Sequence, residues 1–342
     1  MLYLKFLQRS YWTKIVDDAT MTYYDGSTSL SSVEVLAKEL LEREFWNYIR
    51  KKITLSELVL GLKMELEKKM FTEIPVLNES KPPVHIEDIE NIDKFKITFR
   101  ETDDCKSIEA TTKPCEGGFI VTVSTMDCSG DGKVRRSKGR IRSSKTHEIM
   151  HTLFYDRSGN TPVKLGSPPR TNVLRMAEED ICRYLARAAL MPKKLLMERI
   201  VGPDPKTVFL LPSMENLIAL ANEFEVTHDI VAWRLLKDLN LWRGIFFRIS
   251  VNEGSVKTDS VVNSRDPFFN KIVIPKNPNS NTMIGRLILR IFQDVNKNEN
   301  IHFPISYGYE NIRLSLNGRK TGFKSVWAGS GNMYFSALVY NI

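Results

Sequence analysis

From Ser143 to Phe154 the chain reads S-S-K-T-H-E-I-M-H-T-L-F, and the two histidines within it decide how the rest is organised. On a helix, residues four apart lie one above the other on the same face, so His147 and His151 present their imidazoles to one point in space. Neutral imidazole nitrogen binds zinc at about 2.0–2.1 Å. Glu148 then sits beside the ion without ligating it, where its carboxylate can take a proton from an activated water. Ile149, Met150, Leu153 and Phe154 would bury this helix in a core. Ser143 or Ser144 is expected to cap its start, and the helix should end near Asp156. The competing reading is two histidines on a half-buried helix with an incidental glutamate between them.

A catalytic zinc takes three protein ligands and keeps a fourth position open. The third candidate lies on the next helix, expected from Asn172 to Leu190 and stopped by Pro192. It carries Glu178 and Glu179, which cannot both face one ion because helix neighbours point about 100° apart. Glu179 shares its face with Cys182, Ala186 and Ala189, small residues that would let this helix pack closely on the first. Glu178 aligns with Ile181, Cys182 and Leu185. Glu179 is therefore preferred as the third metal ligand and Glu178 is the alternative. Apart from a metal, either would be a solvated charge near the helix start, favoured by the dipole.

The two segments together, R-I-R-S-S-K-T-H-E-I-M-H-T-L-F (Arg140 to Phe154) and E-D-I-C-R-Y-L-A-R-A-A-L-M-P (Glu179 to Pro192), resemble the ImmA/IrrE family of bacterial metallopeptidases. That family pairs the HExxH helix with a later glutamate in a stretch like E-x-x-[AC]-N-x-F-A-x-x-L-L-M-P. The resemblance puts Glu179 on the family's metal-binding glutamate, Cys182 on its small residue, Ala186 on its alanine, and Leu190, Met191 and Pro192 on its closing L-M-P. Arg183, Leu185 and Ala189 depart from the usual Asn, Phe and Leu, and Ile149-Met150 replaces the commoner Leu-Gly. The pattern is that of a divergent member, and it covers about Phe119 to Trp242. It implies an α+β fold with a zincin-like core, in which the HExxH helix packs on a small sheet and on the glutamate-bearing helix. It also implies a zinc peptidase that cleaves a helix-turn-helix repressor and so induces stress-response or mobile-element genes.

Outward from this core the chain divides into three parts. Residues 1–94 read as mostly helical, with a long apolar periodicity over 33–69 broken by the Pro75–Val84 stretch. Residues 95–243 hold the peptidase core. Here Phe95, Ile97 and Phe99 alternate as a strand, and Phe119 to Thr125 forms a second one whose free edge is a candidate platform for an extended peptide. The basic run K-V-R-R-S-K-G-R-I-R, Lys133 to Arg142, reads as a solvated loop before the helix. Two helices over 213–224 and 228–239 have helix-turn-helix spacing about Val226-Thr227. Only Arg234 and Lys237 are basic near the second, so direct DNA reading is the weaker use of this segment. Residues 244–342 read as an α+β domain with a helix near Asn281–Asp294 and a hairpin turn at Asn317-Gly318.

Charged residues make up 26% and hydrophobic ones 42% of 342 residues, which excludes a disordered or fibrous chain. No apolar run approaches a membrane span, and the N-terminal M-L-Y-L-K-F-L-Q-R is too interrupted for a signal-peptide core. Cytoplasmic location is the expectation, without a membrane partner. The four cysteines form no CxxC pair and are expected as free thiols. Net charge of +8 allows acidic partners without naming one. Tyr155, Tyr184 and His228 are weak candidates for a group that stabilises an oxyanion. Two other classes share parts of the pattern. One is a DNA-binding regulator with a structural zinc, which would require a closed four-ligand shell; the other is an inactive interaction module, which would have no need of Glu148.

Overall fold

The computed structural model describes residues 27–40, 54–75, 77, 81–91, 96–104, 109–127, 134–165, 172–200, 212–252, 255–270, 276–277, 306–316, 319–329 and 334–341. They form a mixed α+β protein of two compact units, 1–196 with 224–226 and 197–223 with 227–342. No helix among the described residues is long and apolar enough to cross a membrane.

The first unit runs α1 (Ser27–Leu40), α2 (Leu55–Glu73), a 3-10 segment (Ile86–Asn91), β1 (Ile97–Thr102), β2 (Ala110–Cys115), β3 (Gly118–Ser124), β4 (Met126–Asp127), β5 (Val134–Arg135), α3 (Lys138–His151), β6 (Tyr155–Asp156), β7 (Val163–Lys164), α4 (Asn172–Leu190) and the start of α5 (Lys193–Ile200). The long periodicity expected over 33–69 appears as two helices, and residues 41–53 between them lie outside the described ones. α2 opens with a reciprocal cap: Thr54 Oγ1 accepts from Glu57 N, and the Glu57 carboxylate accepts from Thr54 N at 2.7 Å. Its buried Leu58, Leu62 and Leu66 pack with Val33 and Leu36 of α1 against α4.

The sheet of this unit has the order β1-β3-β2, with β1 parallel and β2 antiparallel to β3. Phe119, Val121 and Val123 of β3 are buried beneath α3, while the residues between them are half-exposed, the period of a strand with one covered face. Gly117 turns the hairpin at φ +78°, and a Cβ on Gly118 would lie 2.1 Å from Lys96 O, so only glycine lets β1 and β3 approach. β3 is central and paired on both sides. The expectation that it offers a free edge is therefore wrong: the unpaired edges among the described residues belong to β1 and β2. β2, A-T-T-K-P-C, gave no sequence signal because none of its residues is buried and it carries Pro114, which edge strands tolerate.

α3 begins at Lys138, several residues before the expected serines, and Ser137 caps it by accepting from Arg140 N at 3.3 Å. Basic side chains in a first turn oppose the helix dipole, but here each has an acid beside it. Lys138 meets Glu225 at 2.9 Å, and Arg140 meets Asp127 at 2.6 Å and Glu109 as well. The second half of the basic run is thus helix bound to carboxylates, not a solvated loop. Arg142 is 4% exposed, and burial lowers its pKa from the ordinary guanidinium value. Its Nη1 donates to Phe224 O at 3.0 Å and Glu225 O at 3.1 Å, and its Nη2 to Val84 O. One buried cation thereby ties two chain segments, at Val84 and at Phe224–Glu225, to the front of the HExxH helix.

In the second unit, α6 (Met214–Glu223) is followed by α7 (His228–Ala232), which continues as a π-helical turn (Trp233–Asp238). Then come β8 (Gly244–Asn252), β9 (Ser255–Asn263), α8 (Pro267–Asn270), β10 (Ser306–Leu316), β11 (Arg319–Gly329) and β12 (Tyr334–Asn341). The strands form one antiparallel sheet of order β10-β11-β12-β8-β9. α7 and the turn after it pack on β8 and β9 through an apolar face that includes Ile230, Val231, Leu235 and Leu236. Leu316 pairs with Arg319; the turn residues Asn317 and Gly318, and the helix expected near Asn281–Asp294, lie outside the described residues.

Replacing Arg142 by Met should destabilise the chain by about 2–4 kcal/mol, because buried carbonyls lose a charged donor. Urea unfolding followed by circular dichroism measures this, and a loss below about 0.5 kcal/mol would contradict the staple.

Candidate metal centre

The three-stranded sheet and α4 hold α3 between them, and the residues picked out by the HExxH pattern meet at that junction. His147 and His151 lie one turn apart with ring centroids 4.8 Å apart and their planes nearly perpendicular. Their Nε2 atoms are 3.2 Å from each other. Glu179 of α4 brings Oε2 to 3.2 Å from His147 Nε2 and Oε1 to 3.5 Å from His151 Nε2. A tetrahedral ion with bonds of about 2.0–2.1 Å holds its nitrogen donors roughly 3.4 Å apart. The two Nε2 atoms stand near that spacing, Glu179 reaches each of them with a different carboxylate oxygen, and His147, Glu148 and His151 form a group that could hold a metal ion.

Glu178 does not compete for the same position. It reaches the other side of His151, with Oε1 2.7 Å from Nδ1, while Cys182 Sγ is 3.5 Å from that nitrogen. The two carboxylates that sequence reasoning treated as alternatives both contact His151, on opposite ring nitrogens. Their surroundings differ accordingly: the Glu178 side chain is 3% exposed and that of Glu179 44%.

Glu148 is buried at the sheet side of α3. Thr112 Oγ1 of β2 lies 2.8 Å from its carboxylate Oε2 and 2.8 Å from its backbone carbonyl. The Thr152 N–H turns to Ile149 O and Met150 O as the helix tightens into a 3-10 end (Thr152–Phe154), and Thr112 serves the Glu148 carbonyl. Sequence reasoning missed Thr112, since β2 was itself unread. Tyr155 stacks edge-on against Phe119 at 5.1 Å, and Tyr184 donates its hydroxyl to Glu67 of α2. His228 belongs to the second unit. A cleft of about 810 Å³, lined by Lys69, Lys96, Phe119, Tyr155 and Arg157 among others, includes none of the metal-centre residues. Cys115 and Cys182 are free thiols, and Cys105 and Cys128 lie outside the described residues.

The electrostatics of the centre suit a cation. Hydrogen bonding to His147 and then to His151 holds the Glu179 carboxyl well below the ordinary carboxylate range, against some opposition from burial. Burial alone would push the His151 imidazole down, but Cys182, Glu178 and Glu179 around it hold it well above the ordinary histidine value. Burial also pushes the Cys182 thiol up to about 11, so it is neutral at pH 7, and the two carboxylates are what sustain the imidazolium.

The sign of the pH dependence follows. The metal-free His151 proton stabilises the fold fully below the unfolded histidine pKa of about 6.5, and this contribution is lost as pH rises toward the raised folded value. A metal must displace that proton to use Nε2. Uptake of a divalent metal ion at pH 7 should release about one proton per ion, and apparent affinity should rise with pH. Calorimetry in two buffers of different ionisation enthalpy reads this directly; identical heats in both would contradict it.

No protein-family model matches this chain, and no curated protein matches it.

Proposed function

We propose that this protein is a zinc-dependent peptidase of the zincin-like kind, with His147, His151 and Glu179 as metal ligands and Glu148 as general base. The observation that carries the reading is the pair of Nε2 atoms 3.2 Å apart on one helix face, with the Glu179 carboxylate against both (Oε2 3.2 Å from His147, Oε1 3.5 Å from His151) and the buried Glu148 on the same turn. Bound there, zinc would polarise a peptide carbonyl and make a water acidic enough to attack near neutral pH. Glu148 takes a proton of the attacking water and returns it to the leaving amine as the C–N bond breaks, while the water's oxygen stays on the acyl carbon as the new carboxylate. Thr112 keeps that carboxylate aimed, because its hydroxyl meets both the side chain and the backbone of Glu148.

The edge of β2, unpaired among the described residues, supports a peptide as substrate. An extended chain adding to that edge makes main-chain hydrogen bonds independent of its side chains, and it passes the strand position whose threonine touches the base. By the resemblance of its motifs to the ImmA/IrrE family, the substrate we propose is a helix-turn-helix repressor in the cytoplasm. Direct DNA reading is less favoured, since Arg234, one of the two basic residues of the second helix, is wholly buried.

Purified wild type should carry about one zinc per chain, as a mononuclear catalytic site requires. His151→Ala and Glu179→Ala should lose it. Glu148→Gln should keep the zinc while cleavage falls by at least about a hundredfold. Cleavage is read as new protein N-termini, by mass spectrometry of cells making wild type or Glu148→Gln. Absence of zinc uptake, or N-termini identical in the two cell lines, would overturn the proposal.

A further inference from the structure

His151 is engaged at both ring nitrogens. Nε2 faces His147 and Glu179, while Nδ1 faces Glu178 at 2.7 Å, beneath the surface of the unit. Glu178 Oε1 also lies 3.0 Å from Lys164 Nζ of β7, whose ammonium stands over the Tyr155 ring. A carboxylate buried this deeply carries a desolvation cost of several kcal/mol unless donors meet it. Here a ring nitrogen and an ammonium converge on one oxygen. Such a strongly held group beside a metal ligand calls for a role other than solubility.

We infer that Glu178, with Lys164 as its counter-ion, is the positioning residue of the metal centre: it accepts a hydrogen bond from His151 Nδ1–H and so turns the Nε2 lone pair toward His147 and Glu179. The inference rests on the metal site proposed above. A neutral imidazole has one N–H and one lone pair, and a strong acceptor at Nδ1 selects which nitrogen carries the proton. The same contact fixes the ring plane and makes Nε2 a better donor. Adjacent glutamates on one helix thus divide the work: Glu179, half-exposed, faces the open side of the site, and Glu178 holds the ligand from behind. Glu178, Cys182 and His151 Nδ1 are close enough to take an ion themselves. The Lys164 ammonium at 3.0 Å already supplies the charge that such an ion would bring.

The test compares zinc-loaded wild type, Glu178→Ala, Glu178→Gln and Lys164→Met of the full chain. Zinc content and affinity come from competition with a chromophoric chelator, and the His151 tautomer from nitrogen-15 ring correlations in protein labelled at histidine. The wild type should hold one zinc with His151 protonated at Nδ1. Glu178→Ala should bind zinc about 10–100-fold more weakly and lose the single tautomer. Glu178→Gln, whose amide oxygen still accepts, should recover part of that affinity and keep the tautomer, as should Lys164→Met. Unchanged zinc affinity and ring spectrum in Glu178→Ala would overturn the role. So would a wild type holding two ions of which Glu178→Ala loses one. If Glu178→Ala does not fold, the wild-type spectrum decides alone, and a proton on Nε2 would overturn the inference. A wild type that binds no zinc would instead remove the metal site on which it rests.

Discussion

Two imidazoles from one helix and a carboxylate from another can share an ion only if the helices are held to within a fraction of an ångström. The distance between α3 and α4 is therefore the constraint on which the rest of the first unit depends. Cys182, Ala186 and Ala189, all buried, keep the α4 surface thin where the two helices meet. The apolar face of α3, with Ile149 and Met150 wholly buried, packs down on β3. Such close packing resists compression and repositions little, as a set of metal ligands would require.

Charge is buried around α3 on a scale unusual for a short helix. Arg142, Lys145, Glu148 and His151 are all buried on it, and Glu178 faces it from α4. Each has a partner: Lys145 meets Glu101 of β1 at 2.7 Å, and Arg142 meets carbonyls and Glu225. Such pairs add little net stability, because desolvation offsets attraction. Removing one member is costly, so they act as locating pins. Surface pairs such as Lys68–Glu65 on α2 do nothing comparable.

The metal-centre residues come from elements of very different legibility. α4 runs from Asn172 to Leu190, the span its periodicity and the following Pro192 indicate. The helix of His147 and His151 is equally plain, but Ser143 and Ser144 look like its caps while Ser137 caps it, ahead of basic residues that ordinarily oppose a first turn. Only the folded chain brings Glu109, Asp127 and Glu225 to them. β2 left no trace in the sequence, since an exposed edge strand has no apolar alternation to read, and Thr112 was missed with it.

Sequence alone determined that two histidines share one helix face with a glutamate between them, because helical spacing is a local property of the backbone. It also determined that a second helix carries adjacent carboxylates of which one at most could face the same ion. Tertiary structure alone decided where those carboxylates go, Glu179 to the Nε2 side of His151 and Glu178 to the Nδ1 side. It likewise made β3 central and placed β1 and β2 at the edges among the described residues. These outcomes depend on the rotation of one helix against another and on strand order, which contacts between residues far apart in the chain determine and no local pattern encodes.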